Sequence, residues 1–202
     1  MEDSNASETQ AMLKKQGGDH SRIESSHDDV DTSEISATTL EKDPSKVRRL
    51  LPIYLNRVIR EWAVTLEKRP IEERETARGK ITTSNQKMCG EYLKPFYKQL
   101  RKDSVSPDVL LRVTEICDFM QQREYQKAND AYIKLSIGNA PWPIGVTAVG
   151  IHERSNRDKL SVSNVGHVLN DEVERKWIQS IKRLITFVQS IRPPEDLSKA
   201  VG

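Results

Sequence analysis

Four histidines and two cysteines are the side chains in this sequence best suited to acid–base, nucleophilic or metal chemistry near neutral pH. His152 and His167 share one stretch, with Glu153 and Asp158 as the carboxylates closest to them in sequence. A zinc site or an acid–base pair needs a third ligand or an orienting carboxylate, and sequence proximity alone supplies neither. The sequence has no His-Glu-x-x-His pair and no nucleophile elbow, and Gly145 and Gly150 lack the strand–turn–helix setting of a phosphate loop. Histidines that bond backbone groups within an ordered loop are the favoured reading. Cys89 and Cys117 are too few and too far apart for a ligand cluster, and in a reducing compartment they read as packing thiols. The expectation is a protein without catalytic residues, metal or cofactor.

The chemistry that remains is that of binding. From Gly138 to Asn170 the chain combines Pro141 and Pro143, which remove backbone donors, with Gly138, Gly145, Gly150 and Gly166, which permit turns. No regular helix can persist there. Yet Trp142, Ile144, Val146, Val149, Ile151, Val162, Val165, Val168 and Leu169 make the stretch as apolar as a core element, unlike a solvated linker. One reading is a loop inserted into a partner, with Trp142 held stiffly between two prolines and Arg154, Arg157 and Lys159 placed to meet anionic groups. The other is a small hairpin packed on its own domain, Ile144 to His152 returning through Leu160 to Val168 around a turn at Glu153 to Asp158. Residue types alone leave both open.

The elements on either side must position this stretch, and they read as helices. Apolar residues recur at Val47, Leu50, Leu51, Tyr54, Leu55, Val58, Ile59, Trp62 and Leu66, which is the spacing of one helical face. Pro52 argues for a regular start near Leu51. A short helix over Ile71–Ala77, ended by Gly79, follows. The next helix is expected from a Thr83 or Ser84 cap to Arg101, with Met88, Leu93, Phe96, Tyr97 and Leu100 inward and a kink at Pro95. Ser106-Pro107-Asp108 opens a third helix, which buries Leu110, Val113, Ile116, Cys117 and Met120 and ends near Gln121. Tyr125, Ala128, Ala131, Tyr132 and Leu135 mark a fourth, stopped by Gly138. Asn170 or Asp171 caps the last, whose stripe is Val173, Trp177, Ile178, Ile181, Leu184, Ile185 and Val188 before Pro193 and Pro194. Its other face carries Arg175, Lys176, Lys182 and Arg183, a solvated face that could also meet phosphate or a carboxylate-rich partner.

Charge divides the chain. Residues 1–43 hold eleven Asp or Glu against four Lys or Arg, which leaves 28 basic and 19 acidic side chains, a net +9, for the rest. With no aromatic residue and no sustained periodicity, residues 1–43 are expected to be a disordered acidic tail, and 194–202 a disordered C-terminus. The domain between, 44–193, is basic, which suits a nucleic-acid or ribonucleoprotein setting as well as an ordinary solvated surface. Neither a membrane span nor a signal-peptide layout is present, so no membrane association is expected.

The run Gly138-Asn-Ala-Pro-Trp-Pro-Ile-Gly-Val-Thr147, then Val149-Gly-Ile-His152 and His167-Val-Leu-Asn-Asp-Glu172, resembles the signature of the pre-mRNA-splicing factor 18 family. Gln122-Arg-Glu-Tyr125, Lys127-Ala-Asn-Asp-Ala-Tyr132 and Gly79-Lys-Ile81 extend the likeness over roughly Val47 to Arg192. The resemblance implies an all-α fold, a five-helix bundle with a long loop between its last two helices. That loop would be ordered alone or by a partner, a short β-hairpin being its alternative form. The resemblance also implies a non-catalytic nuclear factor of the spliceosome that promotes the second transesterification step, exon joining. Implied partners are a zinc-knuckle second-step splicing factor, the large scaffold protein around the RNA active site, the small nuclear ribonucleoprotein that aligns exons, and, directly or indirectly, pre-mRNA at the 3′ splice site. The implied contact loop comprises Asn139, Pro141, Trp142, Pro143, Ile144, Gly145, Val146, Thr147, Gly150, His152, Arg154, Arg157, Lys159 and His167. A general helical adaptor outside splicing is the competing function.

Overall fold

The computed structural model describes residues 30–137 and 172–201. The expectations for 138–171, hairpin, loop and the Asn170 or Asp171 cap included, lie outside them. The chain divides between Thr32 and Ser33 into two units, and of the first only Val30 to Thr32 are described. The described part of the second is all-α, with five long helices, as expected, and two short ones: α1 (Ala37–Lys42), α2 (Pro44–Glu67), α3 (Ile71–Glu75), α4 (Ala77–Arg101), α5 (Pro107–Gln121), α6 (Tyr125–Ile137) and α7 (Glu172–Ile191).

Both ends of the domain are better ordered than their composition suggested. Ile35 is completely buried, the Ser36 Oγ accepts from the Thr39 amide at 3.1 Å, and α1 follows and packs on α2 and α5. A six-residue helix anchored by one isoleucine offers too few apolar positions to register as a period, which is why the polar composition misled. After α7, Pro194 is buried and a 3₁₀ turn spans Leu197–Lys199. There the Gln189 side chain exchanges two bonds with the Val201 backbone, at 2.8 and 3.0 Å.

Helix α2 starts seven residues before Leu51, the start that Pro52 suggested. Asp43 caps it by accepting from the Lys46 amide at 2.9 Å, and Pro44 occupies the first turn, where no donor is lost. Pro52 removes one interior bond at a cost of about 3 kcal/mol. Upstream, however, Val47, Leu50 and Leu51 are buried, and each such side chain contributes about 1.5–3 kcal/mol. Burial wins, and the helix runs on. Helix α4 is likewise continuous through Pro95.

Helix α4 also begins earlier than Thr83. Thr76 serves two helices at once: its Oγ1 donates to the Glu73 carbonyl at 2.7 Å, closing α3, and accepts from the Gly79 amide at 2.9 Å, opening α4. Gly79 therefore ends nothing. It sits in the first turn of α4, where a Cβ would lie 2.2 Å from the Glu73 oxygen and 2.9 Å from that of Arg74. Two inward assignments also fail, since Met88 is 39 % exposed and Val173 44 %. The remaining stripes of α4 through α7 are placed as their periodicity predicts.

Helix α7 packs against α4 and α6, and its buried face, Trp177 to Val188, closes the core. Trp177 is almost fully buried and stacks on Phe96 with ring centroids 4.5 Å apart. At the other end the Tyr125 hydroxyl donates to the Arg192 carbonyl at 2.5 Å, while the Arg192 guanidinium pairs with Glu61 of α2. Trp177→Ala should cost about 3–5 kcal/mol in urea unfolding, as a large-to-small change in a closed core does. The glycines of α4 provide a matched pair. Gly79→Ala should destabilise by about 1–3 kcal/mol through overlap with the α3 carbonyls. Gly90→Ala, whose Cβ would meet only Ile59 Cγ2 at 3.7 Å, should be neutral or stabilise by up to about 1 kcal/mol.

Candidate functional site

Of the expected site residues, Asn139 through His167 fall outside the described residues, as do all four histidines. The described candidates are the cations of α7. At about 100° per residue, Arg175, Lys176, Lys182 and Arg183 share an arc of about 120° opposite the buried stripe. The structure thus brings them onto one face, but in three different settings.

Lys176 and Lys182 are held. Lys176 pairs with Glu172 one turn before it at 2.6 Å, and its Nζ stands 5.6 Å from the ring centroid of Tyr92 on α4. The hydrogen bond and the charge together push the lysine pKa up and that of Glu172 down. Lys182 leans the opposite way, toward α6. Its Nζ donates to Asn129 Oδ1 at 2.5 Å and lies 5.8 Å from the centroid of Tyr132. Partial burial pushes its pKa down. Arg175 is exposed and Arg183 half-buried, and neither has a carboxylate within ion-pair distance among the described residues. Arg183 borders α4, where its charge acts on Cys89.

The thiols have been turned to packing. Cys89 is buried and donates to the Ser180 carbonyl at 3.5 Å; burial pushes its pKa up, with that bond and Arg183 acting in the opposite sense. Burial also pushes up the Cys117 thiol and the Tyr54 and Tyr97 hydroxyls. These groups stay protonated at neutral pH. No cluster of three His, Cys, Asp or Glu able to hold a metal occurs among the described residues. No described helix is long and apolar enough to cross a membrane. The described part of the candidate site is a basic helical surface.

The model of the Prp18 domain matches residues 52–194, well over half of the chain. The chain belongs to the Prp18 domain family. Among its relatives, the Pre-mRNA-splicing factor 18 of Rattus norvegicus is 45 % identical over 159 residues, which is 79 % of this chain and 46 % of that protein. The protein of the same name from Schizosaccharomyces pombe is 35 % identical over 158 residues, 78 % of this chain and 46 % of its own length. The chain thus spans less than half the length of these relatives.

Within this Prp18 domain, the sequence located the cations of α7 but missed what borders them. Tyr92 lies under Lys176, Met88 precedes the Cys89 that bonds Ser180 of α7, and Ile81 is exposed on α4 two turns before Met88. The spacing of seven and four residues from Ile81 to Met88 to Tyr92 was visible, but Met88 was absorbed into the core stripe. The native domain should resist a thiol reagent at about pH 8, because both cysteines are buried and hold their protons there. Ellman titration should find both thiols only after denaturation, and a thiol that reacts at once in the native protein would show the packing assignment to be wrong.

Proposed function

We propose that this chain is a non-catalytic splicing factor that promotes the second transesterification step of pre-mRNA splicing, in which the exons are joined. The reading is carried by the match to the Prp18 domain together with relatives named Pre-mRNA-splicing factor 18. It is supported by the run Gly138 to Thr147, whose prolines, tryptophan and glycines suit a segment received by a partner. In this proposal the segment 138–170 holds exon ends and the 3′ splice site in place within the spliceosome, in the nucleus. It does so beside the large scaffold protein and the exon-aligning small nuclear ribonucleoprotein, with a zinc-knuckle second-step factor as co-recruited partner. The catalytic metals belong to the RNA.

Such a role requires no reactive side chain. Holding two reactants in a productive geometry contributes several kcal/mol, up to about 7–11 in well-oriented systems, without a protein group entering the reaction. What it does require is a stiff mount. The helices flanking the segment, α6 and α7, pack on each other, and Tyr125 and Lys182 bridge them.

Depleting the protein from a splicing extract should cause lariat intermediate and free first exon to accumulate, and adding it back should restore exon joining. A variant with residues 140–159 replaced by a short Gly-Ser linker should melt like the parent yet restore joining poorly, worst for substrates with a distant 3′ splice site. Normal joining after complete depletion would remove the reading. A variant that unfolds would favour a general adaptor whose segment packs on its own bundle, and a folded variant that restores joining fully would remove the segment from the proposed role.

A further inference from the structure

The described surface carries one face whose chemistry the proposal above does not use. On α4, Ile81 is 60 % exposed and Met88 39 %, and Tyr92 is half-buried. At about 100° and 1.5 Å per residue these three fall within about 40° of one another and span about 16 Å, three helical turns. A soluble helix of this length ordinarily keeps its outward face polar. Here Ile81 and Met88 stand in solvent two turns apart, with the half-buried Tyr92 one turn beyond.

The Met88 and Tyr92 end of this row lies beside the basic face of α7. Lys176 sits over the Tyr92 ring, Cys89, the residue after Met88, bonds to Ser180, and Arg183, one turn further along α7, bears electrostatically on Cys89. The carboxylates that border the face are already engaged, Glu172 by Lys176 at 2.6 Å and Glu91 by Lys94 at 2.7 Å. Arg175 and Arg183 have no ion-pair partner among the described residues. The surface therefore sets three apolar side chains over three turns, Ile81 and Met88 with the polar Ser84 and Asn85 between them and Tyr92 beyond, beside a flank of positive charge.

From this juxtaposition we infer that the α4–α7 face is a docking site for an acidic amphipathic helix of a protein partner. Its apolar residues would lie on Ile81, Met88 and Tyr92, and its carboxylates would meet Arg175 and Arg183. Helix-in-groove recognition reads anchors at i, i+4 and i+7, and a row of this length accommodates that set. Nucleic acid is the poorer occupant. Phosphates would use the cations, but Ile81 and Met88 offer a base neither a stacking ring nor a hydrogen bond, and the half-buried Tyr92 ring already carries Lys176. The inference goes beyond the role given to residues 138–170, because no residue of that segment takes part.

The probe is an amidated peptide of about 15 residues with Leu at i, i+4 and i+7 in an Ala, Glu and Gln background, set against a scrambled peptide of the same composition. Titrated into the full chain with NMR detection, the patterned peptide should bind at least about tenfold more tightly than the scramble and move the Ile81 and Met88 methyl signals first. Met88→Asp and Arg183→Glu should each weaken it by about tenfold or more with an unchanged melt. Should Met88→Asp lower the melting temperature, Ile81→Asp at the more exposed position replaces it. Equal affinity for both peptides, methyl shifts elsewhere, or no binding at about 0.5 mM would overturn the inference. So would an oligouridylate that occupies the face while the patterned peptide does not. Exon joining is not the readout, so failure here leaves the splicing role standing, and failure there leaves this one.

Discussion

The stacking of Trp177 on Phe96 is the contact on which the architecture turns. Both rings are buried, one from α7 and one from α4, which lie far apart in sequence. Stacked rings contribute beyond their buried area, and each aromatic side chain buries about 150–250 Å². Fixing this pair sets where α7 lies along α4, and the rest follows from that register. Ser180 then falls against Cys89, and Phe187 stacks on Trp62 of α2 at 5.4 Å. The Val188 carbonyl accepts from the Arg192 amide, and the Arg192 carbonyl, beyond the last helical bond, accepts from the Tyr125 hydroxyl of α6. Arg192 then finds Glu61.

Much of this was legible because amphipathic helices announce themselves. Leu110 to Met120, Tyr125 to Leu135 and Trp177 to Val188 repeat at helical spacing, and Ser106-Pro107 marks a start that the backbone adopts. What was not legible depends on contacts distant in space or on a single atom. Pro52 looks like a boundary until the buried residues upstream of it are counted. Gly79 looks like a terminator, but its missing Cβ makes room for carbonyls of the preceding helix. Met88 keeps the core's chemistry without its position, since a period of 3.6 places a residue at the margin of a stripe as readily as within it. The short elements at both ends, α1 and the turn at Leu197–Lys199, are held by a few separate contacts, Ile35 and the Ser36 cap at one end, Gln189 and the Lys199–Glu124 pair at the other, that leave no period to read.

The candidate surface was legible to a different depth. The four cations of α7 can be read directly from the sequence, but their inequality cannot. Glu172 one turn before Lys176 hints at one pair. Nothing in a linear reading brings Asn129 or Tyr132 to Lys182, or Tyr92 to Lys176, because those contacts depend on the register that Trp177 and Phe96 impose. Chemistry suggested by residue type was redistributed in the same way. The buried thiols and phenols are desolvated, and burial pushes their pKa values up, further from neutral pH.

That redistribution has a consequence for recognition. A free lysine on a helix loses considerable rotamer entropy when it binds, and this offsets much of what its charge contributes at an exposed site. Lys182 has already lost part of that freedom to Asn129 and Tyr132, and Lys176 to Glu172 and Tyr92. They define the borders of the face rather than its adaptable contacts. Arg175 and Arg183, without ion-pair partners among the described residues, retain the unspent charge, and Arg183 is also half-buried and so partly ordered. Helix α7 thus serves the core and the surface at once. The packing that seats Trp177 on Phe96 also sets where the α7 cations fall against α4 and α6, so a partner that touches more than one of these helices reads the register of the bundle.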